Sequence, residues 1–252
     1  MNRITTAAMY ASVREYLSEL VESGVDGVPP ELQKEQGTEL VAAVKPVASG
    51  SAASTLQPHS SLEEVRQQLA DCRRCSLSAT RTNIVFGSGA AKARIMFIGE
   101  APGADEDRQG EPFLGESGRI LNRIIEAMGL ERKDVYICNI LKCLLPGNRS
   151  PHRDEVDSCV PYLIKQIKVV RPGVLVALGT FAAQTLLHSK EPISKLRGKF
   201  HDYNGIPLMP TFHPSFLQHH KNDKELYWNV WEDMEQVLIK LKLPVPEKRR
   251  KT

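Results

Sequence analysis

Long apolar runs are missing from this sequence. No stretch approaches the ~20 consecutive apolar residues that a membrane-spanning helix requires, so no membrane association is expected. The opening residues, Met1-Asn2-Arg3-Ile4-Thr5-Thr6, lack the apolar segment of a secretory signal, and the expected location is the cytoplasm, in association with the nucleoid. No phosphate-binding loop of the Gly-x-x-x-x-Gly-Lys type is present, which argues against an α/β enzyme acting on free nucleotides. Internal repeats are absent. The hydrophobic share of 41% is slightly below the usual globular value, so part of the chain is expected to lie outside a packed core.

Charge is unevenly spread. The net charge is +3, yet residues 1–60 hold only four basic residues against seven acidic ones. The rest of the chain is therefore the basic part, and a basic body with a basic tail, Lys248-Arg249-Arg250-Lys251, suits a polyanionic partner. Within residues 1–60, Val13, Leu17, Leu20 and Val21 share one face of a short amphipathic helix over 7–23, which Gly24 stops. That helix is a candidate site for a protein partner. From Pro46 to Ser61 the chain is rich in Ala, Ser, Gly and Pro and reads as a flexible linker. Three parts are expected: an N-terminal extension over 1–60, a main domain over 61–241 and a basic tail over 242–252.

In the main domain, four strand-like runs follow one another: Arg94–Ile98, Val135–Ile140, Val174–Leu178 and Leu208–Phe212. Helical spacing marks Leu62–Leu69, Ser117–Met128, Asp154–Val169, Phe181–Leu187 and Lys224–Leu241. Strand and helix alternate, which predicts an α/β fold with a central four-stranded parallel sheet covered by helices on both faces.

Ligands of such sheets bind beyond the carboxyl ends of the strands. The first strand runs into Gly99-Glu100-Ala101-Pro102-Gly103 and the acidic cluster Asp105-Glu106-Asp107. Shortly after comes Pro112-Phe113-Leu114-Gly115, one aromatic held between a proline and glycines. The second strand ends at Asn139, the third at Gly179-Thr180, the fourth at His213-Pro214-Ser215-Phe216-Leu217. Taken singly, Asn139 reads as a turn residue, His213 as a loop residue and Phe113 as core. Together they describe a small polar pocket with one stacking face, suited to a planar heterocycle. Asn139 carries both an acceptor and a donor, and matches an imide N–H beside a carbonyl. His213 is placed to donate to an oxygen that gains negative charge.

Of the five cysteines, Cys138 lies within a buried strand and reads as an inert core thiol. Cys72-x-x-Cys75 has metal-ligand spacing, and Cys143 and Cys159 complete a set of four. Disulfides are not expected in a reducing compartment. Four thiolates suit zinc or an iron–sulfur cluster. The second pair does not repeat Cys-x-x-Cys, which favours a cluster over a zinc ribbon while leaving zinc open.

These segments, in this order, resemble the family 4, or iron–sulfur, uracil-DNA glycosylases. The likeness rests on Gly99–Gly103 with Glu106-Asp107, Gly110–Gly118, Asn139–Cys143, Asn148-Arg149-Ser150-Pro151, Leu178-Gly179, Arg197-Gly198 and Thr211–Ser215, and covers roughly residues 62–241. The resemblance implies a three-layer α/β/α sandwich and a [4Fe–4S] cluster on Cys72, Cys75, Cys143 and Cys159. It also implies an enzyme, expected to be monomeric, that flips uracil out of single- or double-stranded DNA and hydrolyses its N-glycosidic bond. The product is an abasic site, the first step of base excision repair. Position by position, it makes Phe113 the stacking residue and Asn139 the reader of the uracil edge. Glu100 and the Ala101 backbone line the base, His213 stabilises the departing anion at O2, and Glu106 positions or activates water. Asn148, Arg149, Arg197 and the wedge Ser215-Phe216-Leu217 would face the DNA.

The sequence departs from the family in places. Ala101 stands where the better-known family 1 enzymes have a water-serving Asp. Leu144-Leu145 follow Cys143 in place of a basic residue and a proline, and Gln218-His219-His220-Lys221 follow the His213 loop where relatives often have an Arg. Arg197-Gly198-Lys199-Phe200-His201 lacks the basic insertion of DNA-trapping relatives, so ordinary turnover is expected. The alternative reading is a catalytically silent iron–sulfur module that binds or senses damaged DNA.

Overall fold

The computed structural model describes residues 61–247. The expected helix over 7–23, the linker from Pro46 to Ser61 save its last residue, and the basic run of the tail lie outside the described residues. Among the described residues no helix is long and apolar enough to cross a membrane.

Six strands form one sheet: β1 (Ser88–Gly89), β2 (Ile95–Gly99), β3 (Tyr136–Asn139), β4 (Val174–Leu178), β5 (His201–Tyr203) and β6 (Ile206–Thr211), in the order β1-β3-β2-β4-β6-β5. The inner four, β3-β2-β4-β6, are parallel and are the four strands expected. The expectation of a four-stranded sheet is corrected at the edges. Two short antiparallel strands, β1 on β3 and β5 on β6, extend it. They are only two and three residues long and not fully buried, so they carry no apolar run for a pattern reading to find.

The helices are α1 (Leu62–Leu69), α2 (Ala104–Gln109), α3 (Glu116–Ala127), α4 (Arg153–Val170), α5 (Gly179–Leu187), α6 (Ile193–Leu196), α7 (Pro214–His219) and α8 (Lys224–Lys240). The sheet is buried on both sides, as parallel sheets are: β2 and β4 are buried at every position. Successive residues point to opposite faces. Ile95 and Phe97 pack with Leu121 and Ile125 of α3 and Met234 and Val237 of α8. Met96 and Ile98 pack with Leu163 and Ile167 of α4 and Ala182 and Ala183 of α5. This is the three-layer sandwich. Helix α1 stands outside it, closing a smaller core of Val65, Leu69, Phe86 and Tyr162 against α4.

Register decides where the site lies. Gly99 is level with Asn139 across β2 and β3, and Leu178 is level with Thr211 across β4 and β6. The carboxyl ends of the four parallel strands therefore finish along one edge, and the loops that leave them meet there. The short helices α2 and α7, missed by periodicity because six residues hold under two turns, begin at that edge.

Candidate active site

A cleft of about 770 Å³ opens at that edge. Glu100, Ala101, Pro102, Gly103 and Glu106 reach it after β2, Asn139 from β3, Leu178, Gly179 and Thr180 from β4, and His213 and Ser215 after β6. Phe113, Asn148 and Arg149 complete the predicted residues that line it. Burial at the cleft pushes the Glu100 carboxyl up from its ordinary value.

Phe113 is 5% exposed and sits in the left-handed region at φ 53°, unusual for a bulky residue. Three neighbours hold it there. The Glu106 carboxylate accepts the N–H groups of Leu114 (2.9 Å) and Gly115 (3.1 Å), the two residues that follow. The Arg132 guanidinium donates to the carbonyls of Pro112 and Phe113 and to Asn122. Gly118, in the first turn of α3, has no side chain because a Cβ there would stand 2.0 Å from the Phe113 carbonyl oxygen. Glu106 is itself only 6% exposed. Its helix is anchored by Asp107, whose carboxylate accepts the N–H groups of Thr82 and Asn83. Glu106, expected to serve water, thus also braces the loop that carries the aromatic ring.

Asn139 is 2% exposed, and its side-chain oxygen Oδ1 is buried without a hydrogen-bond partner. Among the described residues no other buried side-chain polar atom is left so. A buried acceptor without a donor costs about 1–3 kcal/mol, and buried orphans call for an explanation. Room for Asn139 comes from Gly99 beside it: a Cβ on Gly99 would lie 2.4 Å from Asn139 Oδ1 and 2.7 Å from the Phe113 ring.

His213 faces Phe113 with ring centroids 5.8 Å apart. Its Nδ1 accepts the Ser215 N–H at 3.2 Å and lies 2.7 Å from the Ser215 hydroxyl. With Nδ1 accepting, the ring proton sits on Nε2. Burial pushes the imidazole down to about 4, so it is neutral at physiological pH. The approach of β4 is tight, since a Cβ on Gly179, which has φ 86°, would stand 2.9 Å from the His213 Cβ.

Not every expected DNA-facing residue reaches the cleft. Arg197 is turned away: its guanidinium binds both carboxylate oxygens of Asp233, at 2.9 and 3.1 Å, and the carbonyl of Asn229. Asp233 is fully buried and also accepts the Thr211 hydroxyl at 2.7 Å, so this network braces the end of β6 from below. Within the expected wedge, Leu217 is fully buried in the core, and the residue left outside is Phe216, 39% exposed, between Phe212 and His220. A six-residue helix packed on the core exposes one side only, so three successive residues cannot all face outward.

Arg149 lines the cleft but is held from behind. It pairs with the fully buried Glu155 carboxylate through both terminal nitrogens, at 2.5 and 2.9 Å. Glu155 also accepts the Ser76 hydroxyl (3.0 Å) and the His152 N–H (2.8 Å). Arg149, with the other two partners, pulls the Glu155 carboxyl down to about 2, against burial. The folded-state value is depressed, so this contribution to stability is complete above the ordinary value of 4.5 and is lost as pH falls toward 2. Acid unfolding of Glu155→Gln is expected to show a shallower loss of stability than wild type between those limits, measured by thermal melts at stepped pH. Equal slopes would refute this account of Glu155.

Cys72, Cys75, Cys143 and Cys159 line one small cavity, and Cys138 is buried elsewhere in the β3 core. The same cavity is lined by Arg74, Arg81 and Lys142 and by no carboxylate. The Arg81 guanidinium lies 3.6 Å from the Cys143 sulfur. Among the described residues no three His, Cys, Asp or Glu stand close enough together to hold one metal ion.

Gly99, Gly118 and Lys142 stood in the sequence motifs without a role of their own, and sequence reading did not single out Arg132 and Glu155. Gly118, a glycine inside a helix, was a visible signal of close packing. Arg132 and Glu155 act across long sequence separations and left none.

The family model described as the uracil DNA glycosylase superfamily matches residues 86–235. A type-4 uracil-DNA glycosylase of Thermotoga maritima is 41% identical over 177 residues, covering 69% of this chain and 92% of that protein. One of Archaeoglobus fulgidus is 40% identical over 175 residues, covering 66% and 88%. One of Saccharolobus solfataricus is 43% identical over 163 residues, covering 61% and 76%.

Proposed function

This chain belongs to the uracil-DNA glycosylase superfamily, and we propose that it removes uracil from DNA in repair by the following use of its cleft. The observation that carries the reading is the buried, unpartnered Asn139 Oδ1. Its missing donor is the imide N–H of an extrahelical uracil, with the Asn139 amide N–H on the neighbouring carbonyl. Cytosine presents a bare ring nitrogen at that place, and two facing acceptors leave the orphan unpaired, which penalises the undamaged base. The target base leaves the stack to enter, because its glycosidic bond is out of reach inside a duplex. Phe113 stacks on its face.

Cleavage of the N-glycosidic bond leaves the electron pair on the base and an oxocarbenium-like sugar. The neutral His213 donates its Nε2–H to uracil O2, where the charge develops, without itself becoming charged. Water then adds to the sugar carbon, its proton is released, and an abasic site remains. Glu106 positions that water while its other contacts keep Phe113 in place. Arg149 and the exposed Phe216 meet the DNA, the first at a phosphate and the second against a base step.

The test is alkali-revealed cleavage of a uracil-containing oligonucleotide. His213→Ala is expected to slow single-turnover release by roughly 10²–10³-fold, the usual loss for one such donor. The wild-type rate should fall on the acid side only near pH 4, where His213 takes up a proton and Nδ1 gives up the Ser215 N–H. An acid limb near 6.5, or an unimpaired His213→Ala, would exclude neutral His213 as the donor.

The four cysteines fit an iron–sulfur cluster better than a zinc ion. They share one cavity lined by cations with no acid, and the second pair does not repeat Cys-x-x-Cys as a zinc ribbon would. Cys72, Cys75, Cys143 and Cys159 would hold the [4Fe–4S] group, which supplies a structural brace and no step of the reaction. Ser76, next to Cys75, and Glu155, four residues before Cys159, connect that brace to Arg149.

A further inference from the structure

Lys142 is fully buried, and among the described residues no carboxylate pairs with it. Its ammonium donates to the Asn139 backbone carbonyl at 2.7 Å and to Gln166 Oε1 at 2.7 Å, and it lies against the buried Cys138 thiol. The Gln166 amide nitrogen is committed to the Phe86 carbonyl (2.8 Å) and the Tyr136 hydroxyl (3.1 Å), so its oxygen is held toward Lys142. Two neutral oxygens and a thiol that burial keeps protonated do not compensate a buried charge; such charges persist when an anion stands beside them. Lys142 also lines the four-cysteine cavity, and its charge bears on Cys159 there. Arg81 lines the same cavity, 3.6 Å from the Cys143 sulfur, but is partly exposed and so partly solvated.

We propose that Lys142 is the buried counter-charge of an anionic thiolate-bound cluster in that cavity, and that it ties this charge to the base-reading strand through the Asn139 carbonyl. The inference rests on the cluster reading given above. Four thiolates give the assembled group net negative charge, and one more electron makes it more negative. A fixed cation beside it favours the reduced form, as charge and hydrogen bonds near the sulfurs do generally.

The experiment compares holoprotein of the wild type with three variants. Lys142→Met removes the charge. Gln166→Glu keeps Lys142 but sets a carboxylate against it, cancelling the charge. Gln166→Met breaks the same hydrogen bonds and leaves the charge intact. Iron and sulfide are counted per chain, and the midpoint potential is read by spectroscopically monitored reductive titration. Lys142→Met and Gln166→Glu are expected to lower the reduced-to-oxidised ratio at fixed poise at least tenfold, about 59 mV for one electron, with Gln166→Met near wild type. Equal potentials in all four proteins, or a shift in Gln166→Met as large as in Gln166→Glu, would overturn the proposal while leaving the cluster in place. Wild-type protein that holds no iron and sulfide would overturn the cluster reading itself. If Lys142→Met does not fold, the two Gln166 variants still decide.

Discussion

Asn139→Ala is expected to release uracil roughly 10²–10³-fold more slowly than the wild type, the usual loss for one positioned hydrogen-bonding group. Asn139→Leu, which restores the lost volume, is expected to do the same with no loss of melting temperature. The two effects separate because Asn139 is placed for a ligand rather than for the fold. Its Oδ1 is buried and unpartnered, so the free protein carries the cost of that acceptor, about 1–3 kcal/mol. Removing it relieves the free protein and deprives the bound base of its reader. Loss of a hydrogen bond that a site is built to make costs most when a buried partner on the base is left unpaired. Single-turnover cleavage and thermal melts on the same preparations check both halves. A melting temperature that falls in Asn139→Leu as steeply as the rate would show that Asn139 belongs to the core. A rate within threefold of wild type would remove it from the site.

Gly99→Ala is expected to cost about 1–3 kcal/mol of stability, the usual range for overpacking, and at least ~10² in rate. One methyl group would sit 2.4 Å from Asn139 Oδ1 and 2.7 Å from the Phe113 ring. Both distances are below van der Waals contact, and neither neighbour has room to retreat, with Asn139 2% and Phe113 5% exposed. The base-reading amide and the stacking ring are displaced together, and a misplacement near 1 Å in such a site costs on the order of 10² in rate. Gly99 needs no unusual backbone angle, being an ordinary strand residue; only its lack of a Cβ matters. The check is again a melt and a single-turnover rate. A variant with unchanged rate and an unchanged melt would mean that Phe113 and Asn139 are not held against Gly99.

The strands were legible because burial on both faces makes them continuous apolar runs, Ile95–Gly99 and Val174–Leu178 above all. Their alternation with helices long enough to show periodicity implied the parallel order and, through it, the edge where Asn139 and His213 emerge. The chemistry of those two residues, and the grouping of four cysteines apart from Cys138, could also be read from residue type and position. What could not be read is how each is held. Arg197 looked like a cation for DNA, yet Asp233, thirty-six residues on, takes it into the fold. Leu217 and Phe216 are neighbours with opposite fates, one in the core and one outside, because a short helix turns them apart.

The layers, the strand ends at which the site lies and the side chains able to recognise a base follow from local periodicity and residue chemistry, and so could be read from the residues alone. The folded structure was needed to see that, among the described residues, Asn139 is left without a donor and Lys142 is buried beside the cysteines without a counter-ion, and that His213 is neutral with its proton on Nε2. Each of these depends on which groups from distant parts of the chain come within a hydrogen bond of one another and which water is excluded, and neither is encoded in any short stretch of residues.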